Sequence, residues 1–153
     1  MILLLCWSVF LPLLSGAAQP NDMIAVDPPR SQPLRLEVTN VKEKTGMIWV
    51  GIYTGDDNFL IKEKAELVGV KVTASGTTYI DLPALTIGQE YSLAIFHDVD
   101  NDGEMNRNWL GLPSEPWAFS GEAITRLRLP TFSETKFRME EDLETTTLRL
   151  RMI

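Results

Sequence analysis

Between His97 and Pro113 the chain sets three carboxylates at every second position, Asp98, Asp100 and Asp102, and follows them with Gly103. Oxygen ligands spaced this way can converge on one cation, and the glycine permits the sharp turn that convergence needs. In the register of a calcium-type loop, Asp98, Asp100 and Asp102 take positions 1, 3 and 5 and Gly103 takes position 6. Glu104 falls at position 7, where a backbone carbonyl ligates, and Asn106 at position 9. Position 12 holds Trp109 where such loops carry a bidentate glutamate, so Glu115 is the acid left to replace it if the loop folds back. Three aspartates with few other ligands make a weak site, with a Kd of roughly 10⁻⁴ to 10⁻³ M. A competing reading needs no metal. Asp and Asn bond their own backbone in turns, so the same residues can simply reverse the chain.

His97 is the only histidine. A hydrolytic reading would use it as a general base beside Asp98 or Glu115. It continues an apolar strand phase, however, and a lone histidine there more often anchors a loop or a core. No Ser/His/Asp set, cysteine nucleophile, phosphate loop or zinc cluster is visible. Trp109 and Trp117 invite a third reading, an aromatic platform for a sugar or another flat ligand. The commoner fate of such rings is packing, here as a plug that holds the long loop on the end of the domain. The expectation is a non-catalytic binding or structural module, with calcium as its one implied cofactor.

The elements that would position these residues have a period of two. Leu34, Leu36 and Val38 alternate with polar residues, and Ile48, Val50 and Ile52 alternate with Trp49, Gly51 and Tyr53. Both faces of the segment Met47–Tyr53 look covered, so it is expected to be a central strand. Val68, Val70 and Val72 return to the strand period after an ambiguous stretch from Phe59. Residues 77–82 form a strand that Pro83 should stop. Tyr91, Leu93, Ile95 and His97 point one way, and the acidic loop begins where that strand ends. Further strands are expected at 117–120, 124–129 and 147–152, with Phe132 and Phe137 between the last two. Nothing sustains a helical period. About seven short strands with turn signals between them predict an all-β, antiparallel two-sheet sandwich of the Ig-like or prealbumin-like kind.

Ile2–Leu14 is almost unbroken apolar chain, followed by Ser15-Gly16-Ala17-Ala18. This is the pattern of a secretory signal with cleavage after Ala18. The run falls short of the roughly 20 residues that span a bilayer. Cys6, the only cysteine, would leave with it, so no disulfide is expected. Residues 19–33 hold Pro20, Pro28, Pro29 and Pro33 and read as a flexible linker, with 34–153 as one domain. The formal charge of −7 disfavours nucleic acid and anionic lipid surfaces as partners. A glycan or an envelope protein is the partner class left open.

The segment Tyr91–Gly103 followed by Leu110-Gly111-Leu112-Pro113-Ser114-Glu115-Pro116-Trp117-Ala118-Phe119-Ser120 resembles the DUF2141 family of small secreted bacterial proteins. Its pattern is a strand ending in His-Asp, an Asn/Asp/Gly loop, a Gly-x-Pro-x-Glu turn and an aromatic-x-Phe-Ser segment. The Thr131–Phe137 stretch and the final alternating strand are similar too. The resemblance implies a secreted β-sandwich of the Gram-negative envelope, periplasmic or extracellular. It implies no activity. Asp100 and Asp102 stand where the family often has asparagine, which favours a cation in this member.

Overall fold

Alternating side chains give each strand one apolar face, and two sheets bury those faces against each other. The computed structural model describes residues 28–121 and 128–151. Its strands are β1 (Ser31–Val41), β2 (Met47–Tyr53), β3 (Glu66–Lys71), β4 (Gly76–Thr86), β5 (Glu90–Asp98), β6 (Trp117–Phe119), β7 (Phe137–Arg138) and β8 (Thr145–Arg149). One helical turn, α1 (Phe132–Thr135), precedes β7. The first sheet has the order β4-β1-β8, and the second runs β3-β2-β5-β6 with β7 also on β5. The expected all-β sandwich is the fold, and β2 is central as its two-sided pattern implied. Between the sheets Leu34, Leu36, Val38, Ile48, Val50 and Leu93 are completely buried. Among the described residues no helix is long and apolar enough to cross a membrane.

The strands depart from expectation at the prolines and at the last strand. β1 opens at Ser31, so residues 31–33 belong to the sheet and not to the linker. Ser31, Gln32 and Pro33 pair with Thr86, Leu85 and Ala84, while β8 joins β1 only from Arg35 onward. Pro33 therefore stands where β1 has an open edge, a place that tolerates a missing N–H. Pro83 does not stop β4. The register jumps between Pro33/Ala84 and Arg35/Asp81, which sets Leu82 and Pro83 opposite Leu34 in a bulge. A bulge leaves a residue out of the ladder, and β4 is an edge strand, so the strand continues to Thr86. The pairing of β8 with β1 is parallel, a departure from an all-antiparallel sandwich. The residues before β8 bond to Gln32, so β8 enters at the end of the domain where β1 begins and runs alongside it. Beyond it Arg151 exchanges backbone hydrogen bonds with Trp117 of β6, tying one sheet to the other.

The stretch from Phe59 to Ala65 belongs to the long irregular loop that joins the adjacent antiparallel strands β2 and β3, not to a crossover, and it contains a 3-10 turn at Lys62–Lys64. Phe132 and Phe137 lie on α1 and β7. Thr131 starts α1 through a capping box, with its backbone N–H and hydroxyl both donating to Glu134. The signal segment, residues 19–27 of the linker and the strand expected at 124–129 fall wholly or mostly outside the described residues.

Candidate functional site

β5 carries the site at its C-terminal end. His97 is fully buried in phase with Leu93 and Ile95. Its Nε2 lies 2.7 Å from the Thr45 carbonyl oxygen, which can only accept, so Nε2 bears the hydrogen. Nδ1 is buried with no hydrogen-bond partner. His97 thus fastens the β1–β2 turn to the strand end. It is not in the acidic cluster, and neither ring nitrogen is open to a substrate.

Asp98 is 1% exposed and accepts three hydrogen bonds. Oδ1 takes the Asp102 N–H at 3.1 Å, and Oδ2 takes the Gly103 N–H at 3.0 Å and the Trp49 indole N–H at 3.1 Å. Asp100 accepts from the Asp102 N–H and, at 2.8 Å, from the Asn106 side-chain amide. Asp102 accepts from the Glu104 N–H at 2.8 Å. Asn101 and Gly103 take left-handed φ of 62° and 82°, which coils the backbone around the aspartates. The result brings carboxylate oxygens of Asp98, Asp100 and Asp102 within 4.8 Å of one another, with Asp98 buried and the other two exposed. These are hard oxygen donors, of the kind calcium and magnesium take.

The side chains of the other candidate residues take other partners, which does not bear on the Glu104 backbone carbonyl expected at position 7. Glu104 turns its carboxylate to Lys62 at 2.7 Å, and this hydrogen bond raises the Lys62 pKa. Asn106 points its amide N–H at Asp100. Glu115 is not the missing carboxylate of the cluster. Its two oxygens accept the backbone N–H groups of Val99 at 2.8 Å and Asn106 at 3.1 Å, so it staples the two limbs of the loop together from inside. Buried amide donors need an acceptor, and a carboxylate with two oxygens satisfies both at once. Trp109 is no plug: it is 90% exposed. A hairpin closes beneath it through Arg107 and Pro113, and the Asn108 side chain accepts the Leu110 and Leu112 N–H groups, so the ring is pushed outward.

A groove of about 640 Å³ opens on the outer face of the second sheet, between the acidic loop and the β2–β3 loop. Its floor is Gly51, Ala94, Phe96 and Phe119, and Trp49 and Trp117 flank it. The loop residues Met105, Arg107 and Leu112 form one wall. The Trp117 and Phe119 rings pack at a tilt with their centroids 5.4 Å apart, but Trp109 takes no part, so the two tryptophans do not form one platform. At the end of the floor an aromatic cluster centres on Phe59, which meets Tyr53 and Phe132 edge to face and Phe119 at a tilt. Burial there, with some help from Glu63, pushes the Tyr53 hydroxyl pKa up. Trp49 is the residue that sequence reasoning missed. Its position opposite Gly69 and its bond to Asp98 depend on strand register, although three successive outward positions Trp49, Gly51 and Tyr53, all non-polar or aromatic, were a signal that this face is not plain solvent surface.

The family model described as an uncharacterized protein conserved in bacteria, DUF2141, matches residues 36–147. No curated protein and no solved structure matches the chain.

Proposed function

The chain belongs to the DUF2141 family, and on that premise we propose that it is a secreted, non-catalytic β-sandwich module whose acidic loop binds calcium weakly. The observation that carries the metal reading is the approach of the Asp98, Asp100 and Asp102 oxygens to within 4.8 Å of one another. Three carboxylates that close repel one another strongly unless a cation or water screens them. Each aspartate gives an oxygen to a later N–H, and those turn bonds hold the carboxylates together. Calcium bound there would neutralise the cluster and stiffen the loop. The remaining positions would be water, which keeps affinity in the range of roughly 10⁻⁴ to 10⁻³ M.

The non-catalytic reading is supported by the same bonds. His97, Asp98 and Glu115, the residues a hydrolase would need, are buried and committed to backbone or indole partners. Secretion to the bacterial envelope is supported by the apolar run Ile2–Leu14 and the small residues after it.

A calcium titration followed by thermal melting tests the loop. A ligand at a hundredfold excess over Kd stabilises by about 2.7 kcal/mol. The melting temperature is expected to rise in millimolar calcium and to stay put for Asp102→Asn, which keeps the turn acceptor but loses a charge. An unmoved melting temperature of the native chain at about 10 mM calcium, well above the expected Kd, would overturn the metal reading.

A further inference from the structure

We propose that the groove on the outer face of the second sheet holds a single-chain amphiphile with an anionic headgroup, its hydrocarbon lying over Ala94 and the Tyr53 ring that covers Gly51, and its headgroup meeting the Arg107 guanidinium. The inference goes beyond the calcium reading and does not depend on a metal in the loop.

The face is built for a ligand. An antiparallel sheet that turns one side to water normally places polar residues there. β2 and β5 instead place Trp49, Gly51, Tyr53, Ala94 and Phe96 outward. Two glycines let the rings lie down on the sheet. A Cβ on Gly69 would meet the Trp49 ring at 2.6 Å, and one on Gly51 would meet the Tyr53 ring at 2.9 Å. With the Tyr53 ring lying over Gly51 and the small Ala94 beside it, the floor stays low while Met105, Arg107 and Leu112 of the loop stand at one side. The enclosed volume, about 640 Å³, lies within the roughly 300–1,000 Å³ usual for small-molecule sites.

Two further observations select the ligand's chemistry. The floor residues Gly51, Ala94, Phe96 and Phe119 carry no side-chain hydrogen-bonding group, and the Trp49 indole N–H is already given to Asp98. Beside the floor, the Tyr53 hydroxyl and the Trp117 indole N–H, which has no partner among the described residues, offer a sugar two polar contacts. These are too few to replace the hydration of its several hydroxyls, whereas a hydrocarbon chain needs none. The charged lining runs against the acidic chain. Among the described residues Lys62, Arg107 and Arg128 line the groove, and Glu104 is the only acid that does. Lys62 is neutralised by Glu104, and Arg128 is paired with Glu134. Among the described residues the Arg107 side chain makes a single hydrogen bond, to the Gly111 carbonyl, and no ion pair. Its guanidinium is the positive charge available to a carboxylate, sulfate or phosphate headgroup.

Binding of dodecanoate and of dodecyltrimethylammonium, both below their micellar range, can be followed by tryptophan fluorescence and calorimetry, with maltohexaose as the sugar control. Dodecanoate is expected to bind saturably and about tenfold more tightly than the cation of the same tail. Arg107→Gln should bring the two affinities to within about twofold. Ala94→Leu, which raises the floor, should weaken both by about tenfold or more with an unchanged melting temperature. The proposal is overturned by any of four results. These are no saturable dodecanoate binding, equal affinity for the two tails in the native chain, tighter binding of maltohexaose, or a dimer that buries the groove and that dodecanoate does not dissociate.

Discussion

On the inner face of the second sheet Ile48, Val50, Leu93 and Ile95 are at most 3% exposed, whereas on the outer face of the same strands Trp49, Ala94 and Phe96 are only partly buried and Gly51 has no side chain. Both faces are apolar. The inner one meets a second sheet, so branched aliphatic residues interdigitate there and fill the space. Among the described residues the outer one meets the β2–β3 loop, a helical turn and the acidic loop, and no second sheet. Its rings lie flat over glycines, and one part of the face stays open. The comparison separates two uses of apolar surface: one that holds the fold and one that is kept clear.

Substitutions should split along that line. Leu93→Ala removes a fully buried side chain facing the first sheet and should cost about 2–5 kcal/mol in chemical denaturation. Phe96→Ala, next but two along the same strand and half-buried on the other face, should cost about 1 kcal/mol. Equal losses would mean that the outer face is a second core and not a groove. Next in size is the link between the faces and the loop. Asp98→Ala strips the acceptor from the Trp49 indole and from two loop amides, and should cost about 1–3 kcal/mol. Asp102→Ala removes one exposed acceptor and should cost less than about 1 kcal/mol. Tryptophan fluorescence measured alongside should shift for Asp98→Ala only. A shift of the same size in Asp102→Ala would show that the turn as a whole, and not the Asp98 contact, holds Trp49.

The inner face was legible because its rule is local. Alternation in Leu34–Val38, Ile48–Ile52 and Tyr91–His97 names the buried residues and even places His97 inward. The loop's aspartates were legible by spacing, and their convergence follows from it. What could not be read depended on partners distant in the chain. Glu115 looked like a spare ligand because nothing local shows that Val99 and Asn106 need an acceptor. Pro83 looked like a stop because only the pairing with Leu34 reveals the bulge. Trp109 looked like a plug because the hairpin that turns it outward closes through Arg107 and Pro113. The groove floor needs the register of β2 against β3 and β5, which puts Trp49 beside both Gly69 and Phe96.

The smallest effect probes the segment that partly covers the outer face. Arg128 and Pro130 line the groove, and Phe132 caps the aromatic cluster beside it. Glu134 holds this segment together. The Arg128 guanidinium bonds to its carboxylate at 2.5 and 2.8 Å, and the Thr131 N–H and hydroxyl add two more hydrogen bonds. Arg128 chiefly, then Thr131, lowers the Glu134 pKa from the ordinary 4.5 to about 2. A carboxylate whose folded pKa is depressed contributes its stability in full above the unfolded pKa, and that contribution is lost as pH falls from about 4.5 towards 2. Carbon-detected NMR should therefore find the Glu134 carboxyl titrating near 2, and Arg128→Gln should move it up towards 4.5. Over the same interval the resonances of Phe132 and Phe59 should shift while those of Leu93 and Val50 stay fixed. An inner face that moves with Glu134 would join the two faces into one cooperative unit and end the distinction between them.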